Sequence, residues 1–271
     1  MSDNPLITII TSTFNSEKTL KRCLDSVNNQ SYPFIEHIII DGNSTDATKK
    51  IIEKYASKSG SRISFWLSEP DSGVYDAWNK ALPHIKGDWV CFLGSDDYYA
   101  DSWVMENVSK QLIYIPKEIP IAYGKVSVFD PVTSDIIYTH GTSWKRAKKS
   151  FYRGLCVPHP GTFHRSNIFK NCGFFNTNYP IAADYDMQLR ALKNHNAIFI
   201  DHLIVMMQFG GCSSDPHNSL NAAKEIRDIL ADNQCLSILY LFQYYTFLFS
   251  SYLFPKSSQR LAMIVRSNLK T

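Results

Sequence analysis

The sequence predicts an α/β domain whose mostly parallel sheet is covered by helices on both faces. Three observations carry this. Apolar, β-branched runs alternate with amphipathic segments over the first hundred residues, and a strand–helix repeat of that kind builds βαβ units. The strand runs are apolar throughout rather than at every second residue, as in strands buried on both faces. The chain has 271 residues, 44% hydrophobic and 20% charged, enough to bury a large core.

The elements follow in order. "LITIITSTF" reads as the first strand, and "SEKTLKRCLDSVNNQ" as an amphipathic helix with Asn15 or Ser16 as its N-cap. "FIEHIIIDG" is the second strand, and "STDATKKIIEKYASKSG" a helix ended by Gly60. "RISFWLSEP", "GVYDAWNKALPHI", "DWVCFLG" and "DSWVMENVSKQLIYI" continue the strand–helix alternation. Thereafter the character changes. "IAYGKVSVFD" and "DIIYTHG" suggest a hairpin around Pro131, and the basic, aromatic stretch 141–161 has no clear period. "IAADYDMQLRALKNH" opens a helix with two acids, and "AIFIDHLIVMMQFGG" returns to strand. With no repeat, low-complexity tract or linker, one domain over 1–232 with a helical appendage over 233–271 is the simplest partition.

Charge and cysteine usage narrow the function classes. A net charge of +3 is too small to argue for nucleic acid. The basic residues are nevertheless clustered, as Lys145, Arg146, Lys148, Lys149 and Arg153, and again as Lys256, Arg260, Arg266 and Lys270. Six scattered cysteines without a C-x-x-C point to a reducing compartment. The N-terminus lacks a basic n-region and reads as a strand rather than a signal peptide, so the expected location is cytoplasmic. From Cys235 to Pro255 there is no charged residue, and eight of the 21 are Phe or Tyr. Two readings stay open for this segment: a buried C-terminal helix, or an aromatic helix lying in a membrane interface and giving peripheral contact with the inner membrane face. A true span fits least, because Gln, Ser, Thr and Tyr dilute it.

In open parallel sheets, ligands bind off the carboxyl ends of the strands. Four loops there are hydroxyl-rich or acidic: Thr11-Ser12-Thr13 with Asn15, Asp41 to Asp46, Glu69 to Gly73, and Ser95-Asp96-Asp97. Adjacent carboxylates repel unless something positive lies beside them. An exposed turn would explain Asp96 and Asp97 blandly; a divalent cation, Mg²⁺ or Mn²⁺, completed by a diphosphate is the sharper reading. No Gly-rich dinucleotide or P-loop motif offers another way to hold phosphates. Asp41 alone is a common turn residue; beside the other three loops it becomes a candidate acceptor for a base N–H or sugar hydroxyl. Cys156, His159, His164 and Cys172 have no established zinc spacing. Gly210-Gly211 would permit a 209–217 loop to close, with His217 as a further ligand; ordinary loop residues are the simpler explanation of both.

"ITIITSTFNSEKTLKRCLDSVNNQSY", "IIIDGNSTDATKKII", "SEPDSGVYDAWNKAL" and "GDWVCFLGSDD", in that order, resemble the nucleotide-binding half of family 2 glycosyltransferases, similar to bacterial enzymes of exopolysaccharide and O-antigen assembly. The resemblance covers residues 5 to about 110 and less distinctly to about 212. It implies a GT-A fold, a Rossmann-like, mostly parallel sheet flanked by helices, with 5–110 binding the nucleotide-sugar and 111–232 the acceptor. It also implies an inverting transfer from a nucleotide-sugar donor, UDP-linked, to a saccharide acceptor carried on a lipid diphosphate. Under it Thr11, Thr13 and Asn15 line the nucleotide pocket and Asp41 contacts the base. Asp71, Gly73, Asn79 and Lys80 approach ribose and diphosphate. Asp96 and Asp97 serve ribose and metal, with Asp97 as main ligand. Asp184 is the catalytic base, with Asp186 supporting its helix N-terminus or standing as the alternative base, and His159 lies near the acceptor; as first-turn acids both are also what the helix dipole favours. Two departures stand out: Gly94 where many relatives carry the first Asp of D-x-D, and Thr13 where many carry Pro. Two other classes compete. A nucleotidyltransferase needs a basic Gly-rich loop, which "TSTFNSEK" is not. A degenerate binding module is favoured only by Gly94.

Overall fold

The computed structural model describes residues 4–155, 157–210 and 218–253. Its organising element is one nine-stranded sheet. Strands β1 (Ile7–Thr13), β2 (Ile35–Asp41), β3 (Ile63–Ser68) and β4 (Trp89–Phe92) form a parallel half in the order β3-β2-β1-β4. Their register sets Thr13 opposite Asp41, and Asp41 opposite Ser68. The hydroxyl-rich loop ends therefore share one edge, as the alternation of elements predicts. Both faces are covered: Ile10 and Phe92 pack into one core with Trp78 and Tyr185, while Ile7 and Ile9 pack into the other with Trp89 and Met105.

The remaining strands extend the same sheet with mixed direction. β8 (Thr162–Arg165) runs antiparallel between β4 and β6 (Ile121–Phe129), and β9 (Ala197–Gln208) runs parallel to β6. β5 (Tyr98–Tyr99) closes that edge antiparallel to β9, and β7 (Ile136–His140) forms the expected hairpin with β6. The two residues of β5 and four of β8 are too short to show a period, so they are absent from the sequence reading.

Helices α1 (Leu20–Asn28), α2 (Thr48–Ala56), α3 (Val74–Ala81) and α4 (Val104–Leu112) fill the first half. Starts and stops differ from expectation in detail. α1 begins at Leu20, and the Ser16 hydroxyl pairs with Ser95 Oγ at 2.9 Å instead of capping the helix. α2 ends at Ala56, before Gly60. The aperiodic stretch after Gly141 holds α5 (Trp144–Phe151), whose Trp144 and Phe151 anchor a cationic helix in the core. A single turn, α6 (Ile168–Asn171), precedes α7 (Ala183–Leu192), α8 (Ser219–Asp232) and α9 (Ile238–Leu253). Among the described residues no helix is long and apolar enough to cross a membrane. Along α9, Tyr240 and Tyr244 are buried while Phe242, Tyr245 and Phe249 are exposed.

Candidate active site

The acid pair sits where β4 leaves the sheet. A turn closed by Asp97 N–H on Gly94 O at 3.1 Å folds both carboxylates back over Gly94. A Cβ at Gly94 would stand 2.8 Å from Asp97 Oδ2 and 2.9 Å from Asp96 Oδ1. The next two residues are β5, and their pairing with β9 brings Gln208 N–H to Asp97 Oδ1 at 3.0 Å. Asp97 is buried; Asp96 is half-buried and lines a cleft of about 430 Å³ with Asn15, Asp46, Ser95 and Gln208. Burial, and then the neighbouring Asp96 charge, pushes the Asp97 carboxyl up to about 8. Arg22 of α1 offsets this only in part: its guanidinium bonds Asp96 O at 2.8 Å and Gln208 Oε1 at 3.1 Å while lying over the Tyr98 ring. Two converging carboxylates under-compensated by cations fit a divalent metal, and Asp96 and Asp97 are the residues that could hold one. Among the described residues no group of three or more His, Cys, Asp or Glu gathers. His217 and Cys156 lie outside the described residues.

A second group lies at the ends of β1, β2 and β3. Asp41 is fully buried. Its carboxylate accepts from Ser44 N at 3.1 Å, Ser44 Oγ at 2.5 Å and Ser68 Oγ at 2.6 Å. A carboxylate has about four acceptor sites, which leaves one. Asp71 packs over Gly42, where a Cβ would meet its Oδ2 at 2.7 Å, and accepts from Gly73 N at 3.0 Å. Gly73, at φ 125°, turns the chain into α3. Asn15, at φ 48°, ties the first two loops together through Ser44 Oγ at 2.8 Å and Thr45 N at 2.9 Å. The buried Thr13 hydroxyl has no partner among the described residues.

Three expected ligand contacts are placed differently. The Thr11 side chain is fully buried, its hydroxyl 2.9 Å from His37 Nε2. Asn79 spends its amide on the backbone of Phe175, donating to its O at 2.9 Å and accepting from its N at 3.0 Å. Lys80 turns back on its own loop, 2.6 Å from Pro70 O and 2.9 Å from Glu69. All three act inside the scaffold, shaping the loops rather than presenting polar atoms to a ligand.

The third group comes from the second half. Asp184, in the first turn of α7, accepts from Tyr75 Oη of α3 at 3.1 Å and from Tyr185 N at 2.8 Å. Tyr75 Oη also reaches Ile181 O at 2.8 Å, so one hydroxyl fixes the approach to α7. Beneath lies an aromatic stack: His159 rests on Trp78 with ring centres 4.9 Å apart, and Trp78 packs on Phe92. Burial lowers the His159 pKa, with the Asp184 charge acting in the opposite sense. Asp186 faces the interior, paired with Arg190 at 2.8 Å, rather than supporting the helix N-terminus. Sequence reasoning missed Arg22, Tyr75 and Gln208. Each sits in an ordinary helix or strand pattern, and only the pairing of β5 with β9 and the packing of α3 on α7 bring them to the site.

The family model for glycosyl transferase family 2 matches residues 8–153, more than half of the chain. The chain belongs to that family. This family 2 glycosyltransferase is 30% identical over 217 residues to the PGL/p-HBAD biosynthesis glycosyltransferase of Mycobacterium bovis, covering 78% of this chain and 80% of that one. It is 38% identical over 111 residues to TuaG, a glycosyltransferase assigned to teichuronic acid biosynthesis in Bacillus subtilis, covering 41% of this chain and 42% of that one. Among solved structures, S. aureus TarS 1–349 in complex with UDP-GlcNAc matches with a TM-score of 0.61 at 18% identity over 83% of this chain. The glycosyltransferase spans 66% of that TarS chain, just under two thirds. The mannosyltransferase PcManGT of Pyrobaculum calidifontis, in complex with GDP-Man and Mn²⁺, matches with a TM-score of 0.64 at 15% identity, covering 98% of this chain and 76% of that one. At these identities the two structures speak for the fold, which is GT-A.

Proposed function

We propose that this glycosyltransferase moves a sugar with inversion from a UDP-sugar to a saccharide acceptor carried on a lipid diphosphate, in the assembly of a cell-surface polysaccharide. The observation that carries the chemistry is the hold of Tyr75, from the half with the strand-end loops, on Asp184, from the other half. It sets a carboxylate from the acceptor side against the donor loops. Inverting transfer needs one base on the face opposite the leaving group. Asp184 takes the proton of the attacking acceptor hydroxyl, and the Tyr75 hydroxyl fixes its orientation. Fully buried Asp41 would reach the base N–H with its remaining acceptor site only after the loop held by Ser44 moves aside, and Asp71 lies beside that loop toward the ribose. Asp96 and Asp97 would hold Mg²⁺ or Mn²⁺. Bound there, the cation would offset the charge of the departing diphosphate. The UDP assignment is supported by the nucleotide-sugar named in the TarS complex. The polysaccharide assignment is supported by the pathway named for TuaG.

The test is thermal stabilisation of the full chain by UDP, GDP, dTDP and CMP, each with and without Mn²⁺, on wild type and Asp97→Ala. A manganese-dependent shift with UDP alone, lost in the variant, is the expected result, and a shift with a different nucleotide reassigns the donor. With the donor identified, Asp184→Asn should keep the nucleotide shift and lose transfer by about 10²–10⁴-fold, the usual contribution of a positioned base. Full transfer by that variant overturns the assignment of the base.

A further inference from the structure

Helix α9 is attached along one side and bare along the other. Tyr240 and Tyr244 are buried; the Tyr240 hydroxyl donates to Ala223 O of α8 at 3.3 Å, and the Arg227 guanidinium lies 5.3 Å from the Tyr244 ring centre. On the opposite side Ile238, Phe242, Tyr245 and Phe249 are 87%, 67%, 59% and 66% exposed. At about 100° per residue these four fall within an arc of roughly 60°, and they run about 16 Å along the axis. Large apolar side chains in one continuous exposed stripe mark a surface that something covers.

The chemistry around the stripe indicates what covers it. Residues 136–183 contain seven Lys or Arg and no Asp or Glu. Four of those cations, Lys145, Lys148, Lys149 and Arg153, are exposed on α5 or just beyond its end. That end packs toward the attached side of α9: a Cβ at Gly154 would meet Ile226 of α8 at 2.5 Å and buried Tyr240 of α9 at 3.3 Å. The acids of α8 are already engaged: Asp228 by Arg227, Asp232 by the Tyr179 hydroxyl, and Glu225 by the amides of Ile181 and Ala182. The sequence after α9, residues 254–271, adds four basic residues and no acid. An exposed aromatic stripe on a helix whose neighbouring helix and following sequence are cationic matches the interface of a bilayer with anionic headgroups.

We propose that α9 is a membrane-docking helix that lies in the plane of an anionic phospholipid bilayer. Phe242, Tyr245 and Phe249 enter the headgroup layer, and the cations of α5 face lipid phosphates. Sixteen residues span about 24 Å, less than the roughly 30 Å hydrocarbon core, so the helix lies flat rather than crossing. Glu225 of α8 holds the amides just ahead of Asp184, so the docked face connects directly to the start of α7. The proposal deepens the lipid-linked-acceptor reading and rests on it only for its purpose. Vesicle binding is measured without donor or acceptor, so failure of either reading is seen separately.

The test is sedimentation of the full chain with vesicles of phosphatidylcholine alone or mixed with phosphatidylglycerol. Binding is expected to the mixed vesicles and to weaken about tenfold or more on phosphatidylcholine alone or in high salt. The triple variant Phe242→Ser, Tyr245→Ser, Phe249→Ser should lose binding by about tenfold or more. Lys145→Glu with Lys149→Glu should lose about 30-fold or more on the mixed vesicles. All five positions are exposed, and far-UV circular dichroism checks that both variants remain folded. No sedimentation with either vesicle, equal binding to both, or a concentration-dependent dimer abolished by the triple variant would each overturn the proposal. The last outcome would assign the stripe to a second copy of the chain.

Discussion

At the scale of single residues, Gly94 explains what its sequence context leaves puzzling. Where many relatives carry an acid, this chain has no side chain, and the carboxylates of Asp96 and Asp97 occupy the space a Cβ would need. The acid pair was legible as a candidate site because two adjacent carboxylates at a strand end demand compensation. The purpose of the glycine was not legible, since it depends on which way two side chains fold back. Gly94→Ala should therefore leave the fold intact, because carboxylate tips can swing away, while spoiling their convergence. Affinity for UDP in the presence of Mn²⁺, measured by calorimetry, should fall about 10–100-fold, as for other lost supports of a metal site. Unchanged affinity would mean that the convergence over Gly94 is not used. Tyr75 makes a companion prediction as a positioning residue. Tyr75→Phe keeps the ring packed on Trp78 and removes the hydroxyl held by Asp184. It should lower kcat about tenfold, the scale of one misplaced catalytic group, with the donor KM unchanged. A rise in donor KM at constant kcat would place Tyr75 in donor binding instead.

At the scale of elements, α7 shows how far a sequence pattern reaches. Asp184 and Asp186 are two residues apart, which on a helix turns them about 200° from one another. One must face away from whatever the other faces; the pattern cannot say which. The structure decides by packing: α3 supplies Tyr75 to Asp184, while Asp186 is buried against Arg190 and Asn233. Arg190 continues to Phe174 O at 2.8 Å and to Cys172 O, so the pair pins the chain that leads from α6 to α7. Arg190→Gln leaves the Asp186 carboxylate buried without its cation and should destabilise by about 3–5 kcal/mol, read as a lowered denaturant midpoint at unchanged m. A loss below about 1 kcal/mol would mean that the pair behaves as an exposed one. The same limit explains the uneven reading of the sheet. β1 to β4 are separate apolar runs between helices, and each can be recognised alone. β5 and β8 exist only as partners of β9, β4 and β6, so neither they nor the mixed strand direction could be read from the chain.

At the scale of the whole molecule, buried histidines set the response to acid. His37, His159 and His164 all lie inside the fold, and burial lowers each pKa, that of His37 to about 3. His37 and His164 stay neutral in the fold well below pH 6.5, burial shifts His159 in the same direction, and all three take up a proton near pH 6.5 when unfolded. The unfolded chain therefore binds more protons as pH falls below 6.5, and stability drops by about 1.4 kcal/mol per pH unit for each group. Asp97 acts in the opposite sense. Its folded pKa of about 8 lies above the ordinary 3.8, so its contribution declines as pH rises between those values. The histidines dominate the slope below pH 6.5 and Asp97 the slope above it, with greatest stability near pH 6.5; burial raises Glu225 in the same sense as Asp97. His164 separates the two, because both its ring nitrogens lack a hydrogen-bond partner among the described residues and its ring packs between Phe92 and Phe169. Replacing an unpartnered buried polar ring by an apolar one of similar shape costs little or stabilises. His164→Phe should accordingly hold or raise the denaturant midpoint at pH 7.5, remove up to about 1.4 kcal/mol per pH unit from the acid slope, and leave the alkaline slope as it was. A variant that is destabilised at pH 7.5 and keeps the full acid slope would show that His164 is partnered in solution and that the acid response arises elsewhere.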